Sequence, residues 1–212
     1  MSRMSGAHVA MAFAVTMMVA TAAGAQMQAG QTGHEGHTAA PAKITATRVM
    51  DAQPRLDGIE LVDQDGRTVT LAEAVGTDRP VMVNFIFTTC TTICPVMSSG
   101  FSQLQKSLGE AQDQVRLVSI SIDPEADTPA ALRAYAKRYR AGESWVFLTG
   151  TRAASEAAQR AFGAFRGDKT NHAPTTYVRR APDGAWEQLD GLSSGETLLA
   201  AFRGASSHHH QH

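Results

Sequence analysis

The sequence predicts an α/β domain in which a mixed sheet is layered between helices, and three observations carry that prediction. Residues 81–87, 115–122 and 145–148 are short, almost wholly apolar runs rich in β-branched and aromatic side chains, as strands buried on both faces require. Between and after these runs, apolar residues recur at helical spacing. Two turn signals, Asp65-Gly66 and Pro182-Asp183-Gly184, each separate alternating segments in the manner of hairpins. A hairpin, three strand-helix units, a second hairpin and a last helix together describe a layered α/β fold.

The elements follow in chain order. Residues 61–71 form a hairpin across Asp65-Gly66, a pair that accepts the positive φ of a tight turn. Residues 81–87 are the central strand and run directly toward the first cysteine. Met97, Phe101, Leu104 and Leu108 then share one helical face, with Gly109 as terminator and Pro95 read as the first helical position, which puts Cys94 at the helix N-terminus. Residues 115–122 are the second buried strand. Thr128 and Pro129 suit a cap and first turn, after which Leu132, Tyr135, Ala136 and Tyr139 form an apolar stripe. Residues 145–148 are the third strand, and Ala157, Ala158, Ala161, Phe162 and Phe165 mark the next helix. Residues 175–179 and 186–189 flank the second hairpin turn, and Ser193 with Glu196 forms a capping box ahead of Leu198, Leu199 and Phe202.

The ends are set apart from this domain. Residues 1–25 hold one charge, Arg3, then an apolar run over 9–23 and the small-x-small site Ala23-Gly24-Ala25, so they read as a cleaved secretory signal. The apolar run is shorter than the roughly 20 residues that span a bilayer, and the mature protein is expected to be periplasmic without a stable membrane span. Residues 26–47, rich in Ala, Gly, Gln and Thr and free of aromatics, read as a flexible linker. Residues 48–204 form the domain, and residues 205–212 are a histidine-rich disordered tail. Nineteen basic against 20 acidic residues leave a net charge of −1, which argues against a nucleic-acid partner. Five of the nine methionines lie in the signal, so a methionine-rich metal site is not supported.

The two cysteines form one pair, Cys90-Thr91-Thr92-Ile93-Cys94, beyond the end of the central strand, where open α/β sheets commonly carry their sites. In an exported protein such a pair is a static disulfide, a redox-active dithiol or a pair of soft metal ligands. The helix N-terminus at Cys94 favours a thiolate there. Of eight histidines only His172 lies inside the domain, in a polar loop before a strand. Two thiolates and an imidazole suit copper, Cu(I) for the sulfurs and Cu(II) as well with the nitrogen, whereas zinc usually takes a fourth ligand.

A run of matching segments makes the reading specific. Thr89-Cys90-Thr91-Thr92-Ile93-Cys94-Pro95, the stretch from Ser121-Ile122-Asp123-Pro124-Glu125 through Asp127-Thr128-Pro129, Phe147-Leu148-Thr149-Gly150, His172 with Tyr177, and Pro182-Asp183-Gly184 occur in this order. In them the chain resembles the Sco/SenC family of thioredoxin-like proteins that assist copper-site assembly in cytochrome c oxidase, over residues 56–202. The resemblance implies a thioredoxin-like mixed sheet flanked by helices, with an added N-terminal β-hairpin, and Cys90, Cys94 and His172 as copper ligands. It also implies that Asp123 and Asp127 help shape the site, although a turn and helix cap would use the same acids. Asn171 departs from the acid that the family often places before the histidine.

Two functional classes follow. One is a copper chaperone that delivers copper to, or matures, the copper site of a respiratory oxidase subunit or another copper protein, with a thiol reductant or a second copper chaperone as further partners. The other is a thiol-disulfide oxidoreductase in which Cys90 and Cys94 are the catalytic pair and reduce a partner's cysteines. A peroxiredoxin is disfavoured, because Phe87 stands three residues before Cys90 where that chemistry uses threonine.

Overall fold

The computed structural model describes residues 44–204, so the signal, most of the linker and the histidine tail lie outside the described residues. Among the described residues, eight strands form one sheet: β1 (Ile44–Val49), β2 (Glu60–Asp63), β3 (Thr68–Thr70), β4 (Val81–Ile86), β5 (Arg116–Ser121), β6 (Trp145–Thr149), β7 (Thr175–Arg179) and β8 (Trp186–Gly191). Their spatial order is β1-β8-β7-β4-β5-β6-β2-β3. β4, β5 and β6 run parallel, and all remaining neighbours pair antiparallel. The helices are α1 (Leu71–Val75), α2 (Ile93–Leu108), α3 (Pro129–Arg138), α4 (Arg152–Ala161) and α5 (Gly195–Phe202), with 3-10 turns at Gly109–Gln114 and Lys169–Asn171.

All six residues of β4 are buried, and their alternation divides the core in two. Val81, Val83 and Phe85 face α1 and α4 in a cluster with Leu71, Val75, Ala158, Phe162, Tyr177 and Trp186. Met82 and Ile86 face α2, α3 and α5 in a second cluster with Phe101, Leu104, Leu132, Trp145 and Leu198, and this cluster also contains Cys90 and Cys94. Phe162 touches three other rings, with centroids 5.9 Å from Phe85, 5.0 Å from Tyr177 and 5.1 Å from Trp186. Phe162→Ala is therefore expected to lower stability by about 3–5 kcal/mol, read as an earlier urea midpoint with an unchanged slope. On the opposite face α5 lies close against α2, where a Cβ at Gly100 would stand 2.3 Å from the Ser193 carbonyl oxygen.

The expected hairpins, central strands and threonine cap on α3 are all present; Thr128 Oγ1 accepts the Ala131 N–H at 3.2 Å. Leu71, read as the end of the first hairpin, instead opens α1, an element the sequence pattern did not indicate, and three further details differ. β1 starts at Ile44, four residues inside the stretch read as linker, because residues 44–49 pair with β8 despite lacking an apolar alternation. The cap of α5 is Ser194, whose side chain accepts from Thr197 N–H, and Ser193 is buried just ahead of it. α2 begins at Ile93 with Thr92 as N-cap, so Pro95 is the third helical residue and Cys94 the second.

Candidate metal and thiol-exchange site

β4 ends at Ile86, and the chain turns through Phe87, Thr88 and Thr89 to Cys90 before entering α2. The turn is closed by Cys90 N–H donating to the Phe87 carbonyl at 3.1 Å. Asp127, fully buried after β5, anchors it: its carboxylate accepts the Thr88 N–H at 3.1 and 3.2 Å and the Thr88 hydroxyl at 2.5 Å. The same carboxylate accepts the Ser121 hydroxyl at 2.6 Å, whose oxygen in turn accepts the Asp123 N–H at 3.0 Å. Parallel pairing brings the ends of β4 and β5 side by side, and that is why a residue 39 positions downstream can hold the cysteine loop.

The two sulfurs are both free and chemically unequal. Burial alone would raise the Cys90 thiol, but hydrogen bonds from the Cys94 and Thr92 backbone N–H groups and from the Thr92 and Cys94 side chains outweigh it and lower Cys90 to about 7. Thr92 makes no capping bond within the helix; its hydroxyl stands 3.6 Å from Cys90 Sγ instead. Burial pushes Cys94 up to about 12, and the neighbouring Cys90 and Asp127 reinforce the shift against a backbone hydrogen bond at Phe87. The helix N-terminus therefore stabilises a thiolate, as expected, but on Cys90 and not on Cys94. The earlier start of α2 turns Cys94 into the core and leaves the free amides facing Cys90.

His172 follows the Lys169–Asn171 turn, which Asp168 caps by accepting the Thr170 N–H at 2.8 Å. Its ring Nε2 lies 2.8 Å from the Phe85 carbonyl oxygen. A carbonyl only accepts, so Nε2 carries the proton and Nδ1 keeps its lone pair. Burial lowers the His172 pKa from 6.5 and the nearby Arg166 adds to this, against the raising effect of the Phe85 carbonyl. The neutral ring is thus the favoured form at pH 7, as metal ligation requires. Lys169 reaches Asp123 across a 2.5 Å ion pair, tying the histidine loop to the turn after β5.

Cys90 and His172 line one open cleft, together with Phe87, Thr92, Ile93 and Lys169, and Cys94, fully buried, is hydrogen-bonded to Cys90. Among the described residues no three His, Cys, Asp or Glu side chains are gathered closely enough to hold a metal as they stand. The donor set nevertheless fits a soft cation: one ionised sulfur, one sulfur hydrogen-bonded to it and one neutral imidazole. Asp123 and Asp127 both act on the site, through Lys169 and Thr88. Thr88, Thr92, Ser121 and Lys169 escaped the sequence reading. Thr92 was open to discovery as a hydroxyl beside the cysteines, whereas the partners of the other three become visible only once strands pair.

The SCO1/SenC family model matches residues 52–182. The chain is 42% identical over 89 residues to the SCO1 protein homolog of Bacillus subtilis (strain 168), covering 42% of this chain and 45% of that protein. It is 29% identical over 118 residues to protein SenC of Rhodobacter capsulatus, covering 56% and 52%. The matched stretches thus span about half the length of these relatives. The solved structure of BsSco, a member of the Sco family of cytochrome c oxidase assembly proteins in which a disulfide switch was identified, superposes with a TM-score of 0.59 at 30% identity over 76% of this chain and 98% of that one. ScoI of Bradyrhizobium japonicum with copper bound shares the fold, with a TM-score of 0.56 at 23% identity over 68% and 95%. No helix among the described residues is long and apolar enough to cross a membrane. The fold is the thioredoxin-like one of these structures, the family match spans every residue of the cleft, and the chain belongs to the SCO1/SenC family.

Proposed function

We propose that this protein is an exported, periplasmic copper chaperone that carries copper on Cys90, Cys94 and His172 and passes it to the copper site of a respiratory oxidase subunit or a comparable copper protein. The observation that carries the reading is the shared cleft, lined by an ionised Cys90 and a neutral His172, with Cys94 hydrogen-bonded to Cys90. Thiolates suit Cu(I), and the imidazole extends the set to Cu(II). The copper-bound state of the relative from Bradyrhizobium japonicum supports the choice of cargo. Cys90, at the mouth of the cleft, is the sulfur an incoming ligand would displace, while buried Cys94 retains the ion longest.

An anaerobic Cu(I) titration of the reduced full chain against a competing chelator tests this, read by the thiolate-to-copper absorption to which the histidines of residues 208–212 do not contribute. Binding of about one equivalent is expected, weakened by Cys90→Ser, Cys94→Ser and His172→Ala alike. His172→Ala should leave the Cys90–Cys94 disulfide able to form. Affinity indifferent to His172 would remove it from the site.

A second reading, thiol-disulfide oxidoreductase, is favoured by one feature, the split between a Cys90 near 7 and a Cys94 near 12. In that chemistry the Cys90 thiolate attacks a partner disulfide, forming a mixed disulfide and releasing one partner thiolate, which takes up a proton. Cys94 then gives up its proton and attacks Cys90 Sγ, closing the Cys90–Cys94 disulfide and releasing the second partner thiol, so two electrons pass to the partner. Cys94→Ser should trap the mixed disulfide and Cys90→Ser should not form it. Absence of a trapped species in Cys94→Ser with any disulfide-bearing partner counts against this reading.

A further inference from the structure

Lys169 stands where three segments meet. Its Nζ lies 2.5 Å from Asp123 Oδ2 in the turn after β5. The same ammonium sits 5.6 Å from the centroid of the Phe87 ring, at the exit of β4 toward Cys90. Its backbone carbonyl accepts the His172 N–H at 3.2 Å. Asp123 is itself fixed, since its N–H donates to Ser121 Oγ and its carbonyl accepts the Ala126 and Asp127 N–H groups at 3.0 and 2.9 Å. One short turn, residues 121–127, therefore grips the cysteine loop through Asp127 and the histidine loop through Asp123.

The rest of the histidine loop has little else to hold it. Arg166 donates to the Gly163 and Phe165 carbonyls, and Asp168 accepts from Thr170 through its carboxylate and from the Asn171 N–H through its carbonyl, so these bonds stay within residues 163–171. Gly163 and Gly167, at φ +67° and +78°, bend the approach on either side of Arg166. The Lys169–Asn171 turn buries none of its residues. Among the described residues, beyond the imidazole's own bond to Phe85, the Lys169–Asp123 pair is the polar side-chain tie from residues 166–172 to the body of the domain.

We propose that Lys169 is the positioning residue for His172: its pairing with Asp123 locks the Lys169–Asn171 turn against the cysteine loop, so that the imidazole is presented to the cleft beside Cys90. This rests on the reading of His172 as a copper ligand. The Lys169 side chain is 43% exposed and that of Asp123 11%, so the pair is screened and contributes little to global stability. Its effect is local, on where the ring stands. Partners that orient a metal-binding histidine typically change metal affinity by about 10–100-fold when removed.

The experiment compares Lys169→Met, Lys169→Arg, Asp123→Ala, the Lys169→Met/Asp123→Ala double variant and His172→Ala in the full chain. In metal-free protein, 15N relaxation of residues 169–172 and the Overhauser contact between the His172 ring and Phe85 read the ring's position without copper. Lys169→Met is expected to raise fast mobility in the turn and weaken that contact, and Lys169→Arg to restore both. With Cu(II) as the probe, Lys169→Met should weaken binding by about 10–100-fold and alter the thiolate-to-copper absorption. Cys90–Cys94 disulfide formation and the urea midpoint should stay near wild type. The double variant should be no worse than either single variant, because both break one pair. A Lys169→Met protein with an ordered turn, an intact ring contact and wild-type copper binding overturns the proposal. Copper binding by the wild type that is indifferent to His172→Ala overturns the copper reading instead, and the metal-free measurements then decide alone whether Lys169 positions the ring.

Discussion

At pH 7.5 iodoacetamide will label Cys90 and spare Cys94. The Cys90 thiol is brought to about 7 by the amides and hydroxyl at the start of α2, so more than half of it is ionised at that pH. Cys94, pushed up to about 12 by burial, then has a thiolate fraction on the order of 10⁴-fold smaller. The labelling rate of Cys90 should rise with a midpoint near pH 7, and Thr92→Val should move that midpoint upward by removing the hydroxyl at 3.6 Å. A midpoint near the ordinary thiol value, or equal labelling of both residues, would contradict the assignment. The same split shapes stability. Because folded Cys90 ionises below the ordinary 9.0, its contribution is present above pH 9 and is lost as pH falls through about 7. Folded Cys94 holds its proton longer than the unfolded chain does, so its contribution is present below pH 9 and is lost as pH rises toward 12. Stability from this pair therefore climbs between about pH 7 and 9 and declines beyond; Cys90→Ser should remove the climb and Cys94→Ser the decline.

Asp127→Ala will unfold at a much lower urea concentration than the wild type. The substitution strands three buried or half-buried donors, the Thr88 N–H, the Thr88 hydroxyl and the Ser121 hydroxyl, each with a desolvation penalty of about 1–3 kcal/mol when unpaired. A total loss of about 3–5 kcal/mol is expected. Asp127→Asn, which keeps an acceptor oxygen, should fall between. The variant should also loosen the Cys90 loop, so its labelling rate at pH 7 will depart from wild type even under conditions where the protein stays folded. An unchanged urea midpoint would show that the carboxylate is dispensable to the turn.

The parts of this molecule written in local patterns were readable from sequence. Runs such as residues 81–87 had no alternative to a buried strand, and Thr128-Pro129 states a helix start in two residues. β1 was not readable, since Ile-Thr-Ala-Thr-Arg-Val is exposed at five of its six positions and becomes a strand only by pairing with β8. With two adjacent serines, the expected cap of α5 at Ser193 fell one residue short of the actual cap, Ser194. The site was readable as a set, Cys90, Cys94 and His172, but its polarity was not. Which sulfur ionises depends on α2 starting at Ile93 and not at Pro95, a shift of two residues that turns Cys94 from the helix mouth into the core. Lys169 and Asp123 are separated by 46 positions, and nothing in either neighbourhood announces the other.

Strand β1 has a practical consequence for how the domain is handled. It covers one edge of β8, and it carries a charged, exposed Arg48 ion-paired to Asp190 and a register shift between Ile44 and Ala46, two features that discourage another chain from adding on. A protein trimmed at residue 47 would lose four of the six β1 residues and leave much of the β8 edge bare, with its amides and carbonyls unpaired in water. Such an edge is sticky, and self-association under concentration would be the cost of an N-terminal cut placed four residues too far along.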